Sequence, residues 1–300
     1  MWYDNLGDSK VYYFLSLLTG IIISVMIALN GSLTEQYGLY TATVVAHIVG
    51  LTLITLIVLA KREKIFSKRY DWFLYFGGVV GVFTTISNNF SYGRISVSAM
   101  MALMLFGQSV AGIVVDQYGL LGMPKHLFAK RKLFGLVLVL CGIAVMISDF
   151  EVVAILISFI AGICIVISRT LNGKLAEYTS VRVSTFFNYL AGTMVSIPVF
   201  LLLGRNDISM TTFEFSPNWY IYLGGALGVC VILLSNITVT KISAFYLTLL
   251  IFIGQVFSGI LVDIVISEEI SLRIIIGGVF VTAGLCLNLL LDYRKAKEAL

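Results

Sequence analysis

Gln108 and Gln255 each stand near the middle of an apolar run, and Asn30 and Asn172 sit about one turn from the ends of two others. An amide left unpaired in hydrocarbon costs several kcal/mol. Such side chains therefore turn toward protein or a water-filled cavity. There they hydrogen-bond a polar substrate or join helix to helix, the second role being worth about 0.6–2 kcal/mol each. Both roles stay open for these four amides, and for Asn89 and Asn236 at matching places in two further runs. His47 lies mid-run, with Tyr189 beside Asn188 at the corresponding place later in the chain. The unperturbed pKa of a histidine is close to neutrality, which suits proton coupling. With no matching group in the second half, a neutral histidine bonded to a neighbouring helix is the preferred reading. Arg169 stands about one turn before Asn172, where it either snorkels to the near surface or binds an anion; its counterpart is Ile27, so its role is not symmetric.

Other chemistry is excluded by what the runs lack. No HExxH zinc site, pair of intramembrane carboxylates or activated nucleophile occurs, so an enzyme is not expected. Neither GxGxxG nor a Gly-Lys-Ser/Thr loop is present, and Cys141, Cys164, Cys230 and Cys286 lie in separate apolar segments without metal-ligand spacing. No cofactor and no metal are expected, and the cysteines read as buried packing residues. Asp116 and Asp263 fall at the far ends of their runs, where they read as boundary residues within reach of water.

The elements that position these residues follow from composition. Charged residues are 12% and hydrophobic ones 59% of the 300-residue chain, against about 25% and 45–50% in soluble domains. Apolar stretches long enough for a ~30 Å hydrocarbon core are expected at 11–33, 40–60, 70–91, 95–116, 132–149, 152–173, 183–203, 219–239, 243–266 and 273–291. The fold class is thus all-α integral membrane with ten transmembrane helices and no soluble domain. The first run is as long as a full span, and it is expected to be retained rather than cleaved as a leader.

Seventeen of the twenty Lys and Arg fall on the side shared by both termini, leaving Arg94, Arg205 and Arg273 on the other. By the positive-inside rule both termini are cytoplasmic, in a multi-pass protein of the cell membrane. The net charge of +4 comes from short clusters, at 61–69 and 125–132 among others. These face the lipid bilayer as a partner, and no nucleic acid is expected.

Leu29-Asn30-Gly31-Ser32-Leu33 returns as Leu171-Asn172-Gly173-Lys174-Leu175, and Gly20, Glu35 and Gly50 pair with Gly162, Glu177 and Gly192 at the same offset of 142 residues. At an offset of 147, Trp72, Tyr75, Gly77, Gly78, Gly81 and Asn89 match Trp219, Tyr222, Gly224, Gly225, Gly228 and Asn236. Gly107-Gln108, Gly112 and Asp116 match Gly254-Gln255, Gly259 and Asp263 in the same way. The chain therefore divides into a first five-helix repeat over 1–149 and a second over 150–300. An odd number of spans per repeat forces inverted topology, which in secondary transporters yields two related conformations, one open to each side. The Gly77/Gly81 and Gly224/Gly228 pairs read as GxxxG contacts bringing the third and eighth spans together.

Ala28-Leu29-Asn30 ending the first span, with Gly107-Gln108, Asp116 and Tyr118-Gly119-Leu120 around the fourth, resembles the YdcZ-type family of the drug/metabolite transporter superfamily over essentially the whole chain. The chain looks like a fused member holding both copies of a five-helix unit. The resemblance implies a central cavity inside spans one to four and six to nine, with spans five and ten outside. It also makes Gln108 and Gln255 the family's Gly-Gln motif and Asn30 and Asn172 its first-helix asparagine. Met26 and Ser168 replace a glutamine usual one turn earlier, and no Tyr-Gly-Leu run follows Asp263. The function expected is a secondary active transporter, read as an exporter, of a small metabolite or drug-like compound by alternating access. The alternative is a passive channel or facilitator, or a non-transporting membrane partner. A functional monomer or a homodimer is compatible with fusion.

Overall fold

A computed structural model describes residues 6–65, 70–120, 132–147, 151–204, 207, 214–239, 244–267 and 272–298. Ten α-helices follow one another: α1 Leu6–Tyr37, α2 Leu39–Ala60, α3 Phe76–Ser91, α4 Val97–Tyr118 and α5 Lys132–Met146, then α6 Val152–Tyr178, α7 Val181–Leu203, α8 Leu223–Val239, α9 Ala244–Ser267 and α10 Leu272–Glu298. Val11–Tyr37, Leu39–Ala60, Val97–Val115, Val152–Tyr178 and Val181–Leu203 are long and apolar enough to cross a membrane, and Leu133–Met146, Trp219–Ser235, Leu250–Ile266 and Leu272–Asn288 are shorter apolar stretches.

The Trp-x-x-Tyr segments that open the third and eighth spans are not α-helical. Trp72–Tyr75 and Trp219–Tyr222 each form a 3-10 turn that leads into α3 and α8. Both tryptophans are exposed, as suits rings anchored at a membrane–water boundary. Helix ends are otherwise set by short-range chemistry. Ser96 caps α4 by accepting from the Ala99 amide at 3.2 Å, and Gly119 ends that helix in the left-handed conformation at φ 63°. Ser180 caps α7 in the same manner, accepting from the Val183 amide at 3.1 Å.

Each half wraps around the other. α1 packs on α8 and α9, and its counterpart α6 packs on α3 and α4; α2 meets α7, α4 meets α9, and α5 meets α10. Every major contact therefore has an image obtained by exchanging the halves. Glycines make the same statement at atomic scale. A Cβ on Gly20 would run into the Ile251 carbonyl, and one on Gly162 into the Met104 carbonyl, which is the repeat equivalent. Gly107 lies against the Phe159 carbonyl as Gly254 lies against that of Leu17. Backbones this close need a residue without a Cβ.

Three expectations change here. The glycines of α3 do not meet those of α8: α3 packs on α6 and α7, and α8 on α1 and α2. The space over Gly77 is filled by the Asn172 amide and that over Gly224 by the Asn30 amide. The cysteines are not buried packing residues, since Cys141 is exposed and Cys164, Cys230 and Cys286 are half-buried. Asp263, read as a solvated boundary residue, is buried; it accepts from the Val97 amide at 2.6 Å and the Ser98 amide at 2.9 Å, and also from the Ser98 hydroxyl. A carboxylate thus caps the start of α4 from across the fold, satisfying donors that a helix N-terminus otherwise leaves open. The side chain of its partner Asp116 lies outside the described residues.

α4 is the centre of the molecule, with Met100, Met101, Ala102, Leu103, Met104 and Leu105 all buried in succession. A helix apolar on every face belongs inside. α5 and α10 lie at the edge and expose Phe134, Val137, Val279 and Phe280, surface that hydrocarbon solvates and water does not.

Candidate functional site

Between the halves lies a cavity of about 210 Å³ lined by α1, α2, α3, α4, α6, α7, α8 and α9, with no lining residue from α5 or α10. This is the arrangement that the family resemblance implied. Asn30, His47, Asn89, Gln108, Arg169, Asn172, Tyr189 and Gln255 all face it. Asn236 lies on α8, with its side chain outside the described residues.

The asparagines reach the cavity because α1 and α6 outlast their apolar stretches. α1 continues as helix through Thr34, Glu35 and Gln36 to Tyr37, and α6 through Glu177 to Tyr178. Asn30 and Asn172 thus stand nearly two turns from their helix ends instead of one. The two differ in satisfaction. Asn172 donates through Nδ2 to Asn188 Oδ1 at 2.8 Å and to Ser168 Oγ at 3.3 Å, whereas Asn30 Oδ1 is buried without a hydrogen-bond partner among the described residues.

The glutamines are similar in this respect. Gln255 is buried, and neither its Oε1 nor Asn88 Oδ1 has a hydrogen-bond partner among the described residues. Gln108 is half-buried and makes no hydrogen bond among the described residues. Helix-joining amides would be paired. The helix joining at this depth falls instead to hydroxyls: Ser258 Oγ donates to Ser24 Oγ at 2.7 Å, and Ser24 Oγ to the Gln255 carbonyl at 3.0 Å. Ser168 Oγ similarly donates to the Gly77 carbonyl at 2.8 Å.

His47 bonds within its own helix, not to a neighbour. Its Nδ1 lies 2.8 Å from the Thr43 carbonyl, which only accepts, so Nδ1 carries the proton and donates. The ring sits 6.0 Å from that of Tyr189, whose hydroxyl donates to the Gly225 carbonyl at 3.3 Å. Gly192 makes room for the His47 ring and Gly50 for the Tyr189 ring, a symmetric exchange across the α2–α7 contact. Asn89 Nδ2 approaches Thr43 Oγ1 at 3.4 Å. Arg169 lines the cavity and is exposed, and it makes no ion pair or hydrogen bond to any described residue.

Asn88, Asn188, Thr84, Thr85, Ser168 and Ser235 also line the cavity and were not singled out as site residues. The repeat offset pairs Asn88 with Ser235, and that pairing was the signal in the sequence that could have found both. Beyond the cavity, the N-termini of α2 and α7 are closed by acids from the opposite half. Asp207 accepts from the Tyr40 and Thr41 amides at 2.7 and 2.8 Å, and Glu63 accepts from Ser180 Oγ at 2.5 Å and pairs with Arg182.

The family described as "Putative inner membrane exporter, YdcZ" matches the chain twice, over residues 11–145 and 153–287. A solved structure described as "Crystal structure of protein" is similar in fold, with a TM-score of 0.65 at 16% identity, over 96% of this chain and 98% of the other. No curated protein matches. Two successive matches, each ending before the close of a fifth helix, agree with the paired packing and with a cavity shared by both halves: the chain belongs to this YdcZ family of inner-membrane proteins, as a member that carries both five-helix repeats in one polypeptide.

Proposed function

We propose that the protein is a secondary active transporter that moves a small metabolite or drug-like solute through the central cavity by alternating access, with both termini cytoplasmic. Residues 1–149 and 150–300 act as inverted repeats that exchange roles as the cavity opens to one side and then the other. One copy of the chain supplies all eight lining helices, so a monomer or each protomer of a homodimer is a complete unit. The observation that carries this reading is the cavity's set of amide oxygens without partners among the described residues, on Asn30, Asn88 and Gln255. Buried polar groups with nothing to bond are unstable unless a solute or water completes them.

The test is the thermal stability of purified protein against a panel of metabolites and drug-like compounds, for wild type and for a Gln108→Ala, Gln255→Ala double variant. A ligand at 100 times its Kd stabilises by about 2.7 kcal/mol. The double variant should keep the unliganded stability to within about 1 kcal/mol, because no protein hydrogen bond is lost, while losing the ligand shift. A variant that is strongly destabilised without ligand would make the glutamines structural. Transport in proteoliposomes that persists without an imposed ion gradient and never accumulates solute would favour a passive facilitator.

A further inference from the structure

We propose that the cavity selects small organic anions, carboxylates or phosphates that also carry hydroxyl or amino donors, and that Arg169 is the residue that holds their charge. The proposal rests on the reading of this cavity as the substrate site. Among the described lining residues Arg169 is the one permanently charged side chain, and no Asp or Glu faces the space. An arginine within a membrane span normally finds a carboxylate or a set of carbonyls, because a charge left uncompensated there is costly. Here the guanidinium has no partner among the described residues, and Arg169 lines the cavity, so no described salt bridge occupies its five N–H donors.

Two further observations narrow the ligand. The unpartnered oxygens of Asn30, Asn88 and Gln255 are acceptors in the same space. An anion with no donors would leave them empty, whereas a hydroxy- or amino-substituted acid or a sugar-like phosphate satisfies both the guanidinium and the amides. The repeat places Ile27 where the second half has Arg169, and Ile27 also lines the cavity. The lining is therefore charged on the α6 side and uncharged on the α1 side, which gives the anion one preferred orientation. A cationic compound would meet the lone guanidinium with no acid to offset it.

The experiment measures melting of the full-length purified protein with gluconate and glycerol 3-phosphate as anionic probes, glycerol as the neutral probe and choline as the cation, at constant ionic strength. Both anions should raise the melting temperature of wild type, and glycerol and choline should not. Arg169→Gln should abolish the anion shift, and Arg169→Lys, which keeps the charge without the planar fork, should retain it with at least tenfold weaker affinity. A shift with choline, an anion shift unchanged in Arg169→Gln, or no shift with either anion overturns the proposal. Proteoliposome flux separates it from the transport reading. Choline flux that depends on Gln108 and Gln255, without any anion shift, overturns anion selectivity and leaves transport standing. An Arg169-dependent anion shift without anion flux does the reverse.

Discussion

The two halves of the chain agree in how their backbones pack and differ in what they present to the cavity. Gly20 and Gly162 lie against equivalent carbonyls, as do Gly107 and Gly254, and Gly77 and Gly224 receive equivalent asparagines. At the cavity wall, Ile27 in the first half corresponds to Arg169 in the second, Met26 to Ser168, and His47 to Tyr189. Even the matched asparagines differ, since Asn172 is paired with Asn188 while Asn30 Oδ1 has no partner. Close backbone approach tolerates only glycine, so these positions are constrained alike in both copies. A side chain that faces open space is free to diverge, and the ligand then decides its identity.

Four perturbations break or sharpen that comparison. The largest effect is expected from Gly20→Ala and Gly162→Ala, each of which drives a Cβ into a backbone carbonyl. Each should lower stability by about 1–3 kcal/mol, and by the same amount in the two halves; melting in detergent checks it, and a tolerated substitution in one half alone would end the symmetry. Next is Asp263→Ala, which strips the cap from the start of α4 and should lower stability by about 1–2 kcal/mol. The smallest is Glu63→Gln. Glu63 and Arg182 keep 17% and 42% of their side-chain surface exposed, so the change should be about 0.2–1 kcal/mol and fade at high salt. Asp207→Asn, at the equivalent junction of the other half, removes a charge held by two backbone amides with no cation partner among the described residues. Its effect should therefore depend less on salt, and equal salt sensitivity of the two variants would contradict the observed geometry.

Much of the architecture could be read before any coordinates. Ten helices, the repeat and its two offsets, and the placement of α5 and α10 outside the cavity correspond to what the structure describes, and eight of the nine candidate residues line that cavity. The departures share a cause. Apolarity ends before the helix does at Asn30 and Asn172, because Thr34, Glu35, Gln36 and Glu177 continue the hydrogen-bond ladder after hydropathy has dropped. The GxxxG spacing of Gly77/Gly81 identifies a surface for close approach and is silent on which helix approaches. His47 was assigned a bond to a neighbour, but the Thr43 carbonyl one turn back was nearer.

By itself the sequence determined the spans, their duplication and the presence of amides and one arginine within apolar runs, since hydropathy and repetition are local properties of the chain. Only the tertiary structure decided that α3 faces α6 and α7, that Asp263 caps α4 from 165 residues away, and which buried amides pair with protein. Those outcomes depend on distances between helices remote in sequence, where one side chain filling the space over a glycine settles which polar group is left for a solute.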